Sequence, residues 1–371
     1  MKTLVIIGTR PEAIKMAPVI LALQSHGVDV ALCVTGQHRE MMSQVLDIFK
    51  LKPTFNLDIM KPNQSLSYIS SAIMHGLDSI LEGNIYDWAL VQGDTLSAFI
   101  GALTAFYYKI PVAHIEAGLR TDNIYDPFPE EMSRRLITQL ATVHFAPTRL
   151  ARENLKKAGV VKTKIFTTGN TVIDSLKWVL NNRKDLIDVN LDSIVSADYR
   201  TILLTAHRRE NIGERLDGIF QAINTITQKH ADVHVIYPVH PNPKVLEQAH
   251  KHFAGNPNVH CIAPLAYPDL ANIISKCYLV VTDSGGLQEE APTYGKPVVV
   301  VRETTERPEG VDAGTAILAG TPKEKIVAIL NRLLTDSNAY ARMAKAINPY
   351  GDGYASERIV TALKNELKIS R

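Results

Sequence analysis

Acidic residues stand where apolar runs stop: Asp94 in VQGDT, Glu116 in HIEAGLRT, and Glu130 with Glu131 in YDPFPEEMSRR. Asp94 and Glu116 end neighbouring strand candidates, so a parallel sheet brings their side chains to one mouth. There, with Glu130, like charges are expected to repel and to shift one another's proton affinity, as general acid/base chemistry requires. Carboxylates also favour helix N-termini for dipole reasons alone, which leaves a capping role open for Asp94 before Thr95 and for Glu130 or Glu131 after Pro129.

A second set is basic. In TLVIIGTRPEAIKMAPVILAL, Gly8 permits a tight turn, Arg10 offers a bidentate phosphate fork and Pro11 suits the first helical position. A surface arginine beside a helix start fits the same pattern, and Lys15 faces either the site or water. In TAHRRENIG, His207, Arg208 and Arg209 lie between a strand and a helix, a setting that points to anion recognition.

A third stretch is VVTDSGGLQEEAPTYGKPVVVV. Ser284 is a natural N-cap, and Gly285 and Gly286 let an anionic group approach backbone N–H groups, as a diphosphate seat requires. Glu290, four residues beyond Gly286 on a similar helix face, has two acceptor oxygens for a ribose diol. A capped helix with a solvated Glu289/Glu290 pair is the competing reading. Arg302 and Arg307, in RETTERPEG, sit on a loop able to close over the same phosphates.

The elements that must position these residues alternate along the chain. Strand candidates LVIIG, VDVALCVTG, WALVQG, PVAHIEA and VHFAP recur in kind as TILLTAH, VHVIYPVH, VHCIAP, YLVVTDSGG and PVVVVRET, each with an amphipathic stretch or a loop behind it. This is the pattern of βαβ units and parallel sheets. The expected fold is α/β, with two Rossmann-like domains facing a central cleft, 1–168 and 169–371, joined by a hinge around Gly169 to Tyr199. The first turn has no GxGxxG, and GxxxxGK[ST] occurs nowhere, so neither a dinucleotide cofactor nor a P-loop is indicated.

Composition narrows the classes further. The 371 residues are 46% hydrophobic and 21% charged with a formal net charge of +2, an ordinary globular balance without a nucleic-acid or membrane footprint. Cys33, Cys261 and Cys277 are odd in number and far apart, which speaks against disulfides and a zinc site. The apolar start is cut by Arg10, Glu12 and Lys15, unlike a secretory signal, so the expectation is a cytoplasmic protein with no metal and no cofactor.

Taken together, GTRPEAIKMAPVI, GDT, HIEAGLRT, PFPEE, GNTVIDSL, TAHRREN and DSGGLQEEAPTYGKPVVVVRETTERPEG resemble the non-hydrolysing UDP-N-acetylglucosamine 2-epimerases over nearly the whole chain. The resemblance implies a glycosyltransferase-B type fold, a homodimer, a terminal helix that crosses back to the first domain, and the reaction UDP-GlcNAc ⇌ UDP-ManNAc in precursor synthesis for a surface polysaccharide. It assigns Arg10, His207, Ser284, Gly285, Gly286 and Arg307 to the diphosphate, Glu290 to the ribose, Lys15 to a further substrate position, and Asp94, Glu116 and Glu130 to the sugar. The hydrogen on C2 is not acidic, so elimination and re-addition of UDP through a 2-acetamidoglucal is the expected route, with Glu116 and Glu130 as acid/base groups, Asp94 assisting and His207 stabilising the leaving phosphate. Some members also bind an activating UDP-GlcNAc. Gln37, Arg208 and His240 match those contacts, whereas Glu40 and Asn63 stand where that pattern has a glutamine and an arginine. A UDP-sugar-dependent glycosyltransferase and a non-catalytic UDP-sugar sensor are the alternative functions.

Overall fold

The N-terminal apolar run forms β1 (Lys2–Ile7), followed in chain order by β2 (Asp29–Val34), β3 (Phe55–Asn56), β4 (Trp88–Gln92), β5 (Val112–Ile115), β6 (Val143–Ala146) and β7 (Ile165–Thr167). They make a parallel sheet in the order β3-β2-β1-β4-β5-β6-β7. The central strands β1 and β4 read as nearly continuous apolar runs because both sheet faces are covered; Leu4, Val5, Ile6, Ala89, Leu90 and Val91 are fully buried. Each fully buried leucine or isoleucine of this kind stabilises the fold by about 1.5–3 kcal/mol.

A second parallel sheet holds β8 (Arg200–Thr205), β9 (Val233–Pro238), β10 (Val259–Ile262), β11 (Leu279–Thr282), β12 (Val298–Val300) and β13 (Ala316–Leu318), in the order β10-β9-β8-β11-β12-β13. All ten strand candidates form strands. The three further strands, β3, β7 and β13, are two or three residues long and lie at sheet edges.

This computed structural model describes the chain apart from residues 37–38, 62–63, 122, 197 and 371 and the side chains at 39–41, 186, 193, 196 and 370. The two sheets belong to two units, Met1–Trp178 with Tyr350–Arg371, and Val179–Pro349. The division falls after Trp178, where the sequence pattern suggested residue 168, and the last helix, Ala355–Ser370, groups with the first unit. Within that unit, buried Asp174 accepts from the backbone N–H groups of Ala355 at 3.2 Å and Ser356 at 2.8 Å, satisfying orphan donors at the helix start. Among the described residues no helix is long and apolar enough to cross a membrane.

The first five helices of the chain are α1 (Arg10–Ser25), α2 (Arg39–Ile48), α3 (Leu66–Leu81), α4 (Leu96–Tyr107) and α5 (Glu130–Leu140). Helix α1 starts at a capping box: the Thr9 hydroxyl accepts from the Glu12 N–H, the Glu12 carboxylate accepts from the Thr9 N–H, and Pro11 lies in the first turn. Gly8 is required just before it, because a Cβ there would lie 1.9 Å from Ser97 Oγ on α4.

Candidate functional site

In the first unit the candidate residues cluster at the carboxyl end of the sheet. Gln92 of β4 and Ile115 of β5 are register partners, so Asp94 and Glu116 leave the same sheet end from adjacent strands. Glu116 is buried and takes a left-handed backbone conformation, φ 60°, which is strained for a residue with a Cβ. Its carboxylate accepts from Lys15 Nζ at 2.5 Å, from Asn170 Nδ2 at 2.8 Å and from the Gln92 side-chain amide. Lys15 therefore faces the acid and not bulk water. Asp94 accepts from Arg134 Nε and from a second guanidinium nitrogen of the same residue, each at 2.7 Å, so neither carboxylate stands as a bare charge. The expected repulsion between them is offset because each holds its own cation.

Capping is not the job of Asp94: Thr95 is the N-cap of α4, its hydroxyl accepting from the Ala98 N–H at 3.1 Å. At the start of α5 the two glutamates divide. Glu131 is fully buried, accepting from the Thr121 N–H at 3.0 Å, Arg134 at 3.2 Å and Arg135 at 2.8 Å. Glu130 is half-buried, and its side chain makes no hydrogen bond or ion pair among the described residues. Arg10, the first residue of α1, is likewise half-buried and unpaired among the described residues.

Sequence reasoning passed over several supports of this site. Glu12 is buried, and its carboxylate accepts from the N–H groups of Gly8 at 3.0 Å and Thr9 at 2.7 Å, from Thr9 Oγ1 at 2.8 Å and from Thr95 Oγ1 at 2.7 Å. Burial pushes its carboxyl up to about 7, against the opposing effect of those bonds. The capping-box spacing Thr9-x-x-Glu12 was the available signal. His114 on β5 donates from Nε2 to the Gly93 carbonyl at 2.7 Å, steadying the turn before Asp94; burial holds its pKa down to about 3, so the ring is neutral. No local pattern marks His114, Gln92, Asn170 or Arg134.

The second unit gathers the basic candidates at the carboxyl end of its own sheet, where Thr205 of β8 pairs with Thr282 of β11. The buried Asp283 carboxylate anchors the turn after β8, accepting from the N–H groups of His207 at 2.8 Å and Arg208 at 2.7 Å and from Asn211 Nδ2 at 3.0 Å. Its other oxygen lies 4.0 Å from His207 Nδ1. The His207 ring stacks on His240 with centroids 4.9 Å apart. Burial lowers the His207 pKa, with Asp283 opposing the shift and His240 and Arg208 adding to it.

Ser284 occupies the N-cap position of the short helix Gly285–Glu290, but its side chain makes no capping bond. The Ser284 N–H donates to Thr282 Oγ1 at 2.8 Å. A Cβ added at Gly285 would sit 3.8 Å from the Arg307 guanidinium, and one at Gly286 would sit 3.8 Å from both Glu290 Oε2 and Ser284 Oγ. The bare glycine backbone is thus ringed by a cation, a carboxylate and a hydroxyl. Glu289 and Glu290 are both buried and not a solvated pair: Glu289 pairs with Arg307, and Glu290 accepts from Tyr267 Oη at 2.8 Å. Arg302 is buried and engaged by Glu210 at 2.9 Å and Glu306 at 3.5 Å. Gln37 and Asn63 and the Glu40 side chain lie outside the described residues.

The geometry is matched by kinship. The UDP-N-acetylglucosamine 2-epimerase family model matches residues 21–364. A Bacillus subtilis UDP-N-acetylglucosamine 2-epimerase is 50% identical, covering 98% of this chain and 95% of that one. The Escherichia coli K12 protein of the same name is 47% identical, with 98% and 99% covered. A crystal structure of the Neisseria meningitidis UDP-GlcNAc 2-epimerase bound to UDP-GlcNAc superposes with a TM-score of 0.88 at 44% identity, covering 98% of this chain and all of that one. With strand ends, glycine backbone and carboxylates arranged as described and likeness along its full length, this chain belongs to the UDP-N-acetylglucosamine 2-epimerase family.

Proposed function

We propose that the chain interconverts UDP-N-acetylglucosamine and UDP-N-acetylmannosamine by inverting C2 through loss and return of UDP. Neither neighbour of C2 carries a carbonyl able to delocalise negative charge, so direct removal of the C2 proton is too costly. When the C1–O bond breaks, its electron pair leaves with UDP and positive charge develops at C1. The C2 proton then passes to a carboxylate, leaving the C1–C2 double bond of 2-acetamidoglucal. In the return step a UDP oxygen adds to C1 and a proton reaches C2 from the opposite face. Atoms and charge balance without an oxidant.

In this reading His207, Ser284, Gly285, Gly286 and Arg307, with Arg10, hold the diphosphate, and Glu290 holds the ribose hydroxyls. His207, whose proton affinity burial lowers, serves as a hydrogen-bond donor to the leaving phosphate and not as the base. Glu116 and Glu130 carry the C2 proton transfers, Asp94 assists, and Lys15 offsets the charge on Glu116. The observation that carries the reading is Glu116 itself: a buried carboxylate on a left-handed backbone, gripped by three side-chain donors. Strain of this sort concentrates at functional sites, where surrounding contacts over-determine one orientation. The same proposal includes a cytoplasmic homodimer that supplies a surface-polysaccharide precursor. It also assigns the sugar chemistry to the first unit and nucleotide binding to the second.

Incubation with UDP-GlcNAc in deuterated water, followed by NMR without added cofactor, tests the reaction. Deuterium at C2 of UDP-ManNAc is expected. Retention of the original hydrogen, or a requirement for NAD, refutes the route; release of free ManNAc would assign a hydrolysing activity instead.

A further inference from the structure

Resting on that reading, we infer that Glu12 is a positioning residue for the reaction: its buried carboxylate joins the turn carrying Arg10 to the turn carrying Asp94. One oxygen accepts from Gly8 N at 3.0 Å, Thr9 N at 2.7 Å and Thr9 Oγ1 at 2.8 Å, on the turn that leaves β1. The other accepts from Thr95 Oγ1 at 2.7 Å, on the turn that leaves β4. The strands are neighbours, with Val5 paired to Leu90, so the carboxylate spans two adjacent strand ends. Thr95 is shared: its hydroxyl donates to Glu12 and accepts from the Ala98 N–H at 3.1 Å. Asp94 is the residue immediately before it, and Arg10 immediately follows Thr9. A plain capping box would need only the contacts to Thr9; the bond to Thr95, 83 residues away in sequence, goes beyond that role.

The test is a variant series measured at saturating substrate and normalised to folded protein. Glu12→Ala removes the bridge, and kcat is expected to fall about ten- to a hundredfold, by more than KM rises, because small misplacements of reacting groups cost this much. Glu12→Gln keeps both arms, its carbonyl accepting at the Gly8 and Thr9 end and its NH2 donating to Thr95, and should recover kcat to within about threefold of wild type. Thr95→Val cuts the second arm together with the Thr95 cap of α4 and leaves the α1 capping box in place, so its kcat is read on folded protein; Thr95→Ser, which keeps the hydroxyl, should restore both bonds. The double variant Glu12→Ala/Thr95→Val should be no slower than Glu12→Ala. Wild-type kcat in folded Glu12→Ala overturns the inference, as does Glu12→Gln being as slow as Glu12→Ala. If Glu12→Ala does not fold, wild-type kcat in Thr95→Val overturns it. A wild-type protein that catalyses no epimerisation overturns both this inference and the reaction it rests on.

Discussion

Replacing Glu12 by glutamine should change how the stability of the first unit responds to pH. Burial raises the Glu12 carboxyl from its ordinary 4.5 to about 7, so the folded chain holds this proton more tightly than the unfolded chain. The stabilisation from that proton is complete below about pH 4.5 and is lost as pH rises through about 7. At 1.36 kcal/mol for each tenfold difference in proton affinity, the loss amounts to about 3 kcal/mol. Glutamine is a permanently neutral stand-in with the same reach, so its variant lacks this loss. Relative to wild type, Glu12→Gln should therefore gain about 3 kcal/mol between pH 4.5 and pH 8.5. Both tryptophans, Trp88 and Trp178, lie in the first unit, so urea unfolding followed by tryptophan fluorescence reports on the relevant part of the molecule. Unfolding midpoints at half-unit steps of pH give the difference curve. A curve flat to within about 1 kcal/mol would refute the reasoning, since it would mean that four hydrogen-bond donors outweigh burial and keep the carboxylate ionised.

Glu116→Gln should lower the epimerisation rate by about a hundredfold or more, the usual contribution of a positioned acid/base group, with UDP affinity by calorimetry unchanged. Arg307→Ala removes the guanidinium beside Gly285 and leaves buried Glu289 without that partner; UDP should bind about tenfold more weakly, and the second unit should lose about 3 kcal/mol in denaturant unfolding. Gly8→Ala forces a Cβ against Ser97 Oγ and should destabilise the first unit by about 1–3 kcal/mol, with Ser97→Gly restoring part of the loss by fluorescence-monitored unfolding.

The sequence by itself determined the two parallel sheets, because strands buried on both faces are written as short runs dominated by apolar residues, and ten such β-rich runs alternate with amphipathic stretches. It also marked the ends of those strands as the place for chemistry, since a parallel sheet sends its polar turns out at one edge; Arg10, Asp94, Glu116, His207 and Ser284 all follow strands. It missed β3, β7 and β13 because an edge strand pairs on one side only and needs just two or three residues to do so. Tertiary structure alone decided which groups hold one another. Lys15 meets Glu116 across 101 residues and Arg134 meets Asp94 across 40, pairings set by sheet register and helix packing that no local spacing encodes. The same holds for Glu130 and Glu131, adjacent and chemically alike: the packing of α5 buries Glu131 between Arg134 and Arg135 and leaves Glu130 half-buried.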